Sequence, residues 1–177
     1  MKNIRIIIIF LCLCVINSYA QQGNLLYEEI QEAKYAGEPF NTISMLRPVQ
    51  QSDLQIEALR EHFFNPQEVY LIRYNKTAAE NLSTSITMLI PLNDGNIALE
   101  LLKVGMDYQI RTSDNQILMP NKNIRHYHGI VKDDPHSIVA ITFGEDEIIG
   151  LVATGEGNFN LTIDPQSGEH IFYNDKN

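Results

Sequence analysis

The chain has 177 residues, with 22 acidic against 13 basic side chains and a formal net charge of −9. That balance argues against nucleic-acid binding, which needs basic patches to meet phosphates. It is the ordinary balance of a soluble exported domain, and it would also suit docking on a basic partner.

Residues 1–20 have the order of a secretory signal peptide. Lys2 and Arg5 form a charged start, Ile6 to Ile16 is an unbroken apolar run, and Ser18-x-Ala20 is a small-x-small cleavage site before Gln21. The run is too short to span a bilayer. Leucines precede Cys12 and Cys14, where a lipoprotein signal would have small residues. Both cysteines of the chain fall in this segment. The exported remainder is therefore expected to be thiol-free, secreted or periplasmic, and cleaved near Ala20-Gln21. Without the signal, 157 residues remain (177 − 20), enough for one domain to bury about 70% of its unfolded surface. The signal takes two basic and no acidic residues with it, so the net charge becomes −11 (11 − 22). No second hydrophobic span is evident, so no membrane span is expected after cleavage.

Residues 21–47 read as a lead-in segment. Leu25, Leu26, Ile30, Ala33 and Ala36 recur at near-helical spacing, and Gly37 and Pro39 end the pattern. A second helix is predicted after Pro48, with Ser52 and Gln55 as a capping box and Leu54, Ile56, Leu59, His62 and Phe63 as its apolar face. Asn65-Pro66 stops it. Strand chemistry follows. Val69 to Tyr74 is rich in β-branched and aromatic residues. Ile86 to Leu92 is a second run, which Pro91 confines to a sheet edge or strand end. Asn93-Asp94-Gly95-Asn96 signals a tight hairpin into Ile97–Leu102, with Asp-Gly able to take positive φ. Asp107 to Arg111 alternates as a half-buried strand does. Five further strands are expected near Ile124–Val131, Ser137–Phe143, Glu147–Val152, Asn158–Ile163 and His170–Tyr173, separated by Asp-, Pro- and Gly-containing turns. Ser137 to Phe143 is apolar enough to predict burial on both faces. Gly129 and Gly150, inside strand patterns, predict a bulge or a close backbone approach, or else a docking surface for a partner strand. No sequence repeat underlies the regular spacing. The expected fold is mainly β, an antiparallel sandwich or partly open barrel with one or two N-terminal helices, built from residues 48–177.

Motifs for chemistry are sparse. The chain has no H-E-x-x-H, no Gly-x-Ser-x-Gly elbow and no phosphate loop. His126 and His128, at i and i+2 on a strand, share a face and could share a metal, with Asp133, Asp134 and His136 nearby. No third ligand is fixed by spacing, and zinc needs three or four. The expectation is therefore that one histidine packs and hydrogen-bonds at a strand edge while the other is solvated, with no metal site, no cofactor and no catalytic residue; a weakly metal-dependent enzyme on His126 and His128 is the minor alternative. Tyr127, between them, is expected to enter the core. Asn75-Lys76-Thr77, Asn81-Leu82-Ser83 and Asn160-Leu161-Thr162 match the glycosylation sequon.

One block carries a family likeness. His126-Tyr127-x-Gly129-x-Val131, Pro135-x-Ser137-x-Val139-Ala140-Ile141, Ile148-x-Gly150-Leu151-Val152, Ile163-Asp164-Pro165 and His170-Ile171-Phe172-Tyr173 follow one another in order. In order and spacing this resembles the propeptide domain of reprolysin-type (ADAM-like) zinc metalloproteases. The likeness is close over about fifty residues and loose upstream. It implies a non-catalytic domain that binds a zinc metallopeptidase catalytic domain, in cis or in trans, to assist its folding or keep its cleft closed. Animal propeptides of this type often carry one cysteine just before H-Y-x-G and another after the S-x-V-A strand. Arg125 and the Phe143-Gly144 region occupy those places here, so that bridge is absent, and zinc blockade by a thiolate has no residue to perform it. The family places a linker and catalytic domain after this core, so the chain is expected to be either a piece of a longer precursor or a free-standing domain. The alternative expectation is a stand-alone extracellular β-sandwich binding or adhesion module.

Overall fold

The computed structural model describes residues 24–49, 69–105, 110–111, 117–118, 121, 123–164 and 168–175. The signal segment 1–20 and the helix predicted after Ser52 lie outside the described residues.

The described chain is mainly β. Helix α1 (Leu25–Tyr35) comes first, then β1 (Asn41–Ile43), β2 (Leu46–Pro48) and β3 (Val69–Tyr74). A 3₁₀ turn at Lys76–Ala79 leads to β4 (Ser85–Leu92), β5 (Gly95–Val104), β6 (Ile110–Arg111) and β7 (Ile117–Leu118). The rest is β8 (Arg125–Val131), β9 (Ile138–Phe143), β10 (Ile148–Thr154), β11 (Gly157–Ile163) and β12 (His170–Asn174). Ten strands form one curled sheet in the order β1-β4-β5-β8-β9-β10-β11-β12-β3-β2, a partly open barrel; β6 and β7 pair separately. The pairing is antiparallel except for β1, which runs parallel to β4 with Asn41 opposite Ile86 and Ile43 opposite Met88.

The segment read as a lead-in supplies both margins of that sheet. β1 borders β4 and β2 borders β3, with Leu46 opposite Tyr74. Only Ser44 and Met45 separate the two strands, so one short stretch is bonded to both margins. Met45 is fully buried at this corner, and its carbonyl accepts from Asn75 N–H at 2.8 Å. β1 and β2 are three residues each, and short edge strands are one way a sheet limits edge-to-edge pairing.

Pro91 sits where its missing N–H does least harm. β1 covers β4 only from Ile86 to Met88, and Pro91 lies beyond, beside the hairpin. The hairpin differs from expectation in one detail. Leu92 pairs with Gly95, so Asn93-Asp94 forms the two-residue loop, and positive φ (149°) falls on Gly95 as the first residue of β5.

The inner face of the sheet is the core: Ile72, Ile86, Met88, Ile90, Leu99, Leu101, Val139, Ile141, Phe143, Ile148, Val152, Leu161 and Phe172 are all buried. Tyr127 enters it as alternation predicts. Its ring meets Phe143 edge-on at 5.3 Å, and its hydroxyl donates to the Ser83 carbonyl at 2.7 Å. Burial pushes its phenol pKa up, with Arg125 opposing.

One expectation is corrected here, and the lesser of two readings falls away. β9 is not buried on both faces: Val139, Ile141 and Phe143 point inward, while Ile138 and Ala140 are exposed. A single curled sheet has one core, and among the described residues no second sheet packs on its outside. Gly129 and Gly150 do not offer an edge to a partner strand, because β8 and β10 are interior strands with both neighbours in place. Each marks a close approach instead. A Cβ on Gly129 would lie 1.9 Å from the Glu100 carbonyl oxygen, and one on Gly150 would lie 2.4 Å from Ile141 Cδ1.

Candidate functional site

The outer face of β8, β9 and β10 carries the residues in question. Strand alternation turns Arg125, Tyr127 and Gly129 inward, and His126, His128 and Ile130 outward. The two histidines share a face, as expected, but each is engaged with a different protein group. His126 Nδ1 lies 2.9 Å from Thr142 Oγ1, across the ladder. His128 Nε2 lies 2.9 Å from Glu29 Oε2 of α1. Asp133, Asp134 and His136 lie past the far end of β8, where Asp134 Oδ1 accepts from the His136 N–H at 3.0 Å. Among the described residues no group of three or more His, Cys, Asp or Glu side chains could hold a metal ion.

α1 roofs half of this face. Asn24 caps it, accepting from Leu26 N–H at 3.1 Å, and the same side chain donates to the Ser137 carbonyl at 2.7 Å. Glu28 in the first turn and Lys34 in the last complement the helix dipole. Ile30 is fully buried against β5 and β8. Lys34 Nζ reaches the buried Glu100 carboxylate of β5 at 2.7 Å. Between the helix and the sheet runs an acidic groove of about 560 Å³, lined by Glu29, Glu32, Glu38, Lys103 and His128.

Beside the helix, among the described residues, the outer face of the sheet is partly exposed. Ile138 is 50% exposed, Ile149 43% and Leu151 39%. They are in register: Ala153 stands opposite Ile138, Leu151 opposite Ala140, and Ile149 opposite Thr142. On the β11 side, Asn158 faces Ala153 and Asn160 faces Leu151. On the β8 side, His128 faces Ala140 and His126 faces Thr142. The result is an apolar ladder with an amide, hydroxyl and imidazole rim and no Asp, Glu, Lys or Arg on these three strands' outward positions. Single exposed apolar residues are ordinary, whereas contiguous ones with a polar rim mark a docking surface. Depletion of charge at the centre is the compositional sign of an interface core.

The sequence reading placed Ile138 in the core and so missed this ladder. The signal was present in the alternation of Ile149-x-Leu151-x-Ala153, with Gly150 and Val152 inward. It was overridden by the apolar run of β9, which looks the same whether one face is covered or two.

A second hollow, of about 420 Å³, opens at one end of the barrel between Tyr74, Lys76, Asn123, Arg125 and Glu145. Arg125 Nη1 donates to the Glu80 carbonyl at 3.1 Å, while its Nε is buried without a partner. Lys76 meets Asp146 at 2.6 Å, and that contact holds its pKa above the usual value. Positive and negative groups are mixed here, so the hollow selects neither charge.

Among the described residues no helix is long and apolar enough to cross a membrane. Compared with known proteins, the chain matches no family model, no curated protein and no solved structure.

Proposed function

We propose that the chain is an exported, propeptide-like domain that binds the catalytic domain of a reprolysin-type zinc metalloprotease, in cis or in trans. It holds that domain latent or assists its folding, by non-covalent cover of its surface. The observation that carries this reading is the charge-free apolar ladder of Ile138, Ile149 and Leu151. Such a surface fits the centre of an interface of about 800 Å² per partner.

Two further observations support the resemblance. The block that carries it forms consecutive strands β8 to β12, and its fixed residues have structural work. Ser137 is fully buried, its hydroxyl accepting from Val131 N–H at 2.8 Å and donating to the Asp134 carbonyl at 2.8 Å. Arg125 and the Phe143-Gly144 region stand where the animal propeptides carry cysteines, and Arg125 is paired with Phe143 across β8 and β9. Residues at those positions are therefore neighbours, as a bridged pair must be.

The test is binding. The purified domain should co-elute with a reprolysin-type catalytic domain and slow its cleavage of a peptide. Ile149→Lys with Leu151→Lys should lose at least tenfold in affinity, about 1.4 kcal/mol. A domain that binds no such catalytic domain, or a double variant that binds as well as the parent, would sink the reading. A stand-alone extracellular binding module is the second reading, favoured by a sheet that secures both margins with its own chain. A reading frame continuing into H-E-x-x-H separates the two.

A further inference from the structure

We propose that His170 is an acid-sensitive latch, joining the first residue of β10 to β12 while its imidazole is neutral and releasing the β9–β10 turn when protonated. A neutral imidazole has one donor and one acceptor nitrogen. The backbone N–H of Ile148 can only donate, and it lies 3.1 Å from His170 Nε2. Nε2 is therefore the acceptor and the proton sits on Nδ1. The β10–β11 ladder reaches only to Gly150 opposite Leu161. Two residues earlier, the imidazole supplies the acceptor that β11 does not. Both partners are inside: His170 is 4% exposed and Ile148 fully buried.

A second proton would turn Nε2 into a donor facing a donor, and would place a cation in the core. Buried charge is costly unless paired. Among the described residues, the charged groups near the ring favour the cation by less than burial opposes it. From β3, Tyr74 presents its ring edge-on at 5.6 Å. Glu169, the preceding residue, is turned to Arg73 of β3 in a two-point ion pair. Glu147 comes from the β9–β10 turn, and Asp164, at the end of β11, donates its N–H to the Glu169 carbonyl at 2.8 Å. Burial lowers the His170 pKa; the opposing pull of Glu169 and Glu147 is weaker.

The direction of the pH effect follows. The folded-state pKa lies below the ordinary 6.5, so the unfolded chain takes the proton first. The latch contributes its full stability above about pH 6.5 and loses it as pH falls to and through the lowered folded-state value. Ile149 and Leu151 follow the latched residue directly, so acid loosens the apolar ladder as well. That consequence for docking rests on the function proposed above; the latch itself does not.

The experiment is an NMR titration of the purified protein without any partner, from roughly pH 8 to pH 4, following the His170 ring and the Ile148 amide. The ring should show the Nδ1-protonated tautomer and titrate below about pH 6.5. Exchange of the Ile148 amide should rise at least tenfold across that titration relative to His170→Gln, whose side-chain oxygen accepts the same bond and does not titrate. A ring that titrates at or above the ordinary value, or an Ile148 amide indifferent to it, overturns the latch. If His170→Gln does not fold, the parent titration alone decides. Loss of partner binding at acid pH with an unmoved Ile148 amide would refute the latch and leave the docking surface standing.

Discussion

Ser137 is the residue on which the motif block turns. One hydroxyl closes the Asp133-Asp134-Pro135 turn from both sides, with Asp133 in the left-handed region at φ 65°. Ser137→Ala should leave the part-buried Val131 N–H without this acceptor, at a cost of about 1–3 kcal/mol in denaturant unfolding. Gly129 is constrained by space and not by φ. Gly129→Ala forces Cβ into the Glu100 carbonyl, and should cost at least the roughly 1–3 kcal/mol of an overpacked core; wild-type stability would show that β8 and β5 can part. The Arg73–Glu169 pair is exposed on the Arg73 side, so Arg73→Ala should leave the midpoint of denaturant unfolding close to the parent's.

α1 is an element whose helical pattern is visible and whose place is not. Its apolar spacing is loose, and Ile30 is its only described buried residue. The helix is held as much by polar ties at its two ends, Asn24 to Ser137 and Lys34 to Glu100, as by apolar contact. Ile30→Ala should destabilise the domain by about 2–5 kcal/mol in thermal or denaturant unfolding. A loss under 1 kcal/mol would mean that α1 is not a fixed part of the fold. The strands tell the opposite story. Eight expected strands lie where the alternation puts them, because period-two burial and Gly- or Asp-containing turns are local signals. The strand expected at Asp107–Arg111 is described only at Ile110–Arg111, paired with β7 outside the main sheet.

At the scale of the molecule, one curled sheet leaves two outer surfaces of different character. α1 covers β5 and β8, and nothing among the described residues covers the β9–β10 ladder. Ile149→Lys with Leu151→Lys should leave unfolding within about 1 kcal/mol per site, since exposed strand positions lose little, while weakening the proposed docking at least tenfold. A large fall in stability would show that the ladder is core. The same curl brings His170 of β12 beneath the start of β10, so the acid response belongs to the closed sheet and not to any one strand.

The sequence alone determined the class of the fold, the positions of eight strands, the inward Tyr127 and the shared face of His126 and His128. Each of these depends on residues within a few positions of one another. The tertiary structure decided the rest. It chose a barrel over a sandwich, wrapped residues 41–48 around both sheet margins, bared the outward side of β9, and gave the Ile148 N–H to His170. Alternation says which residues share a face; only the arrangement of distant segments says whether anything lies on it.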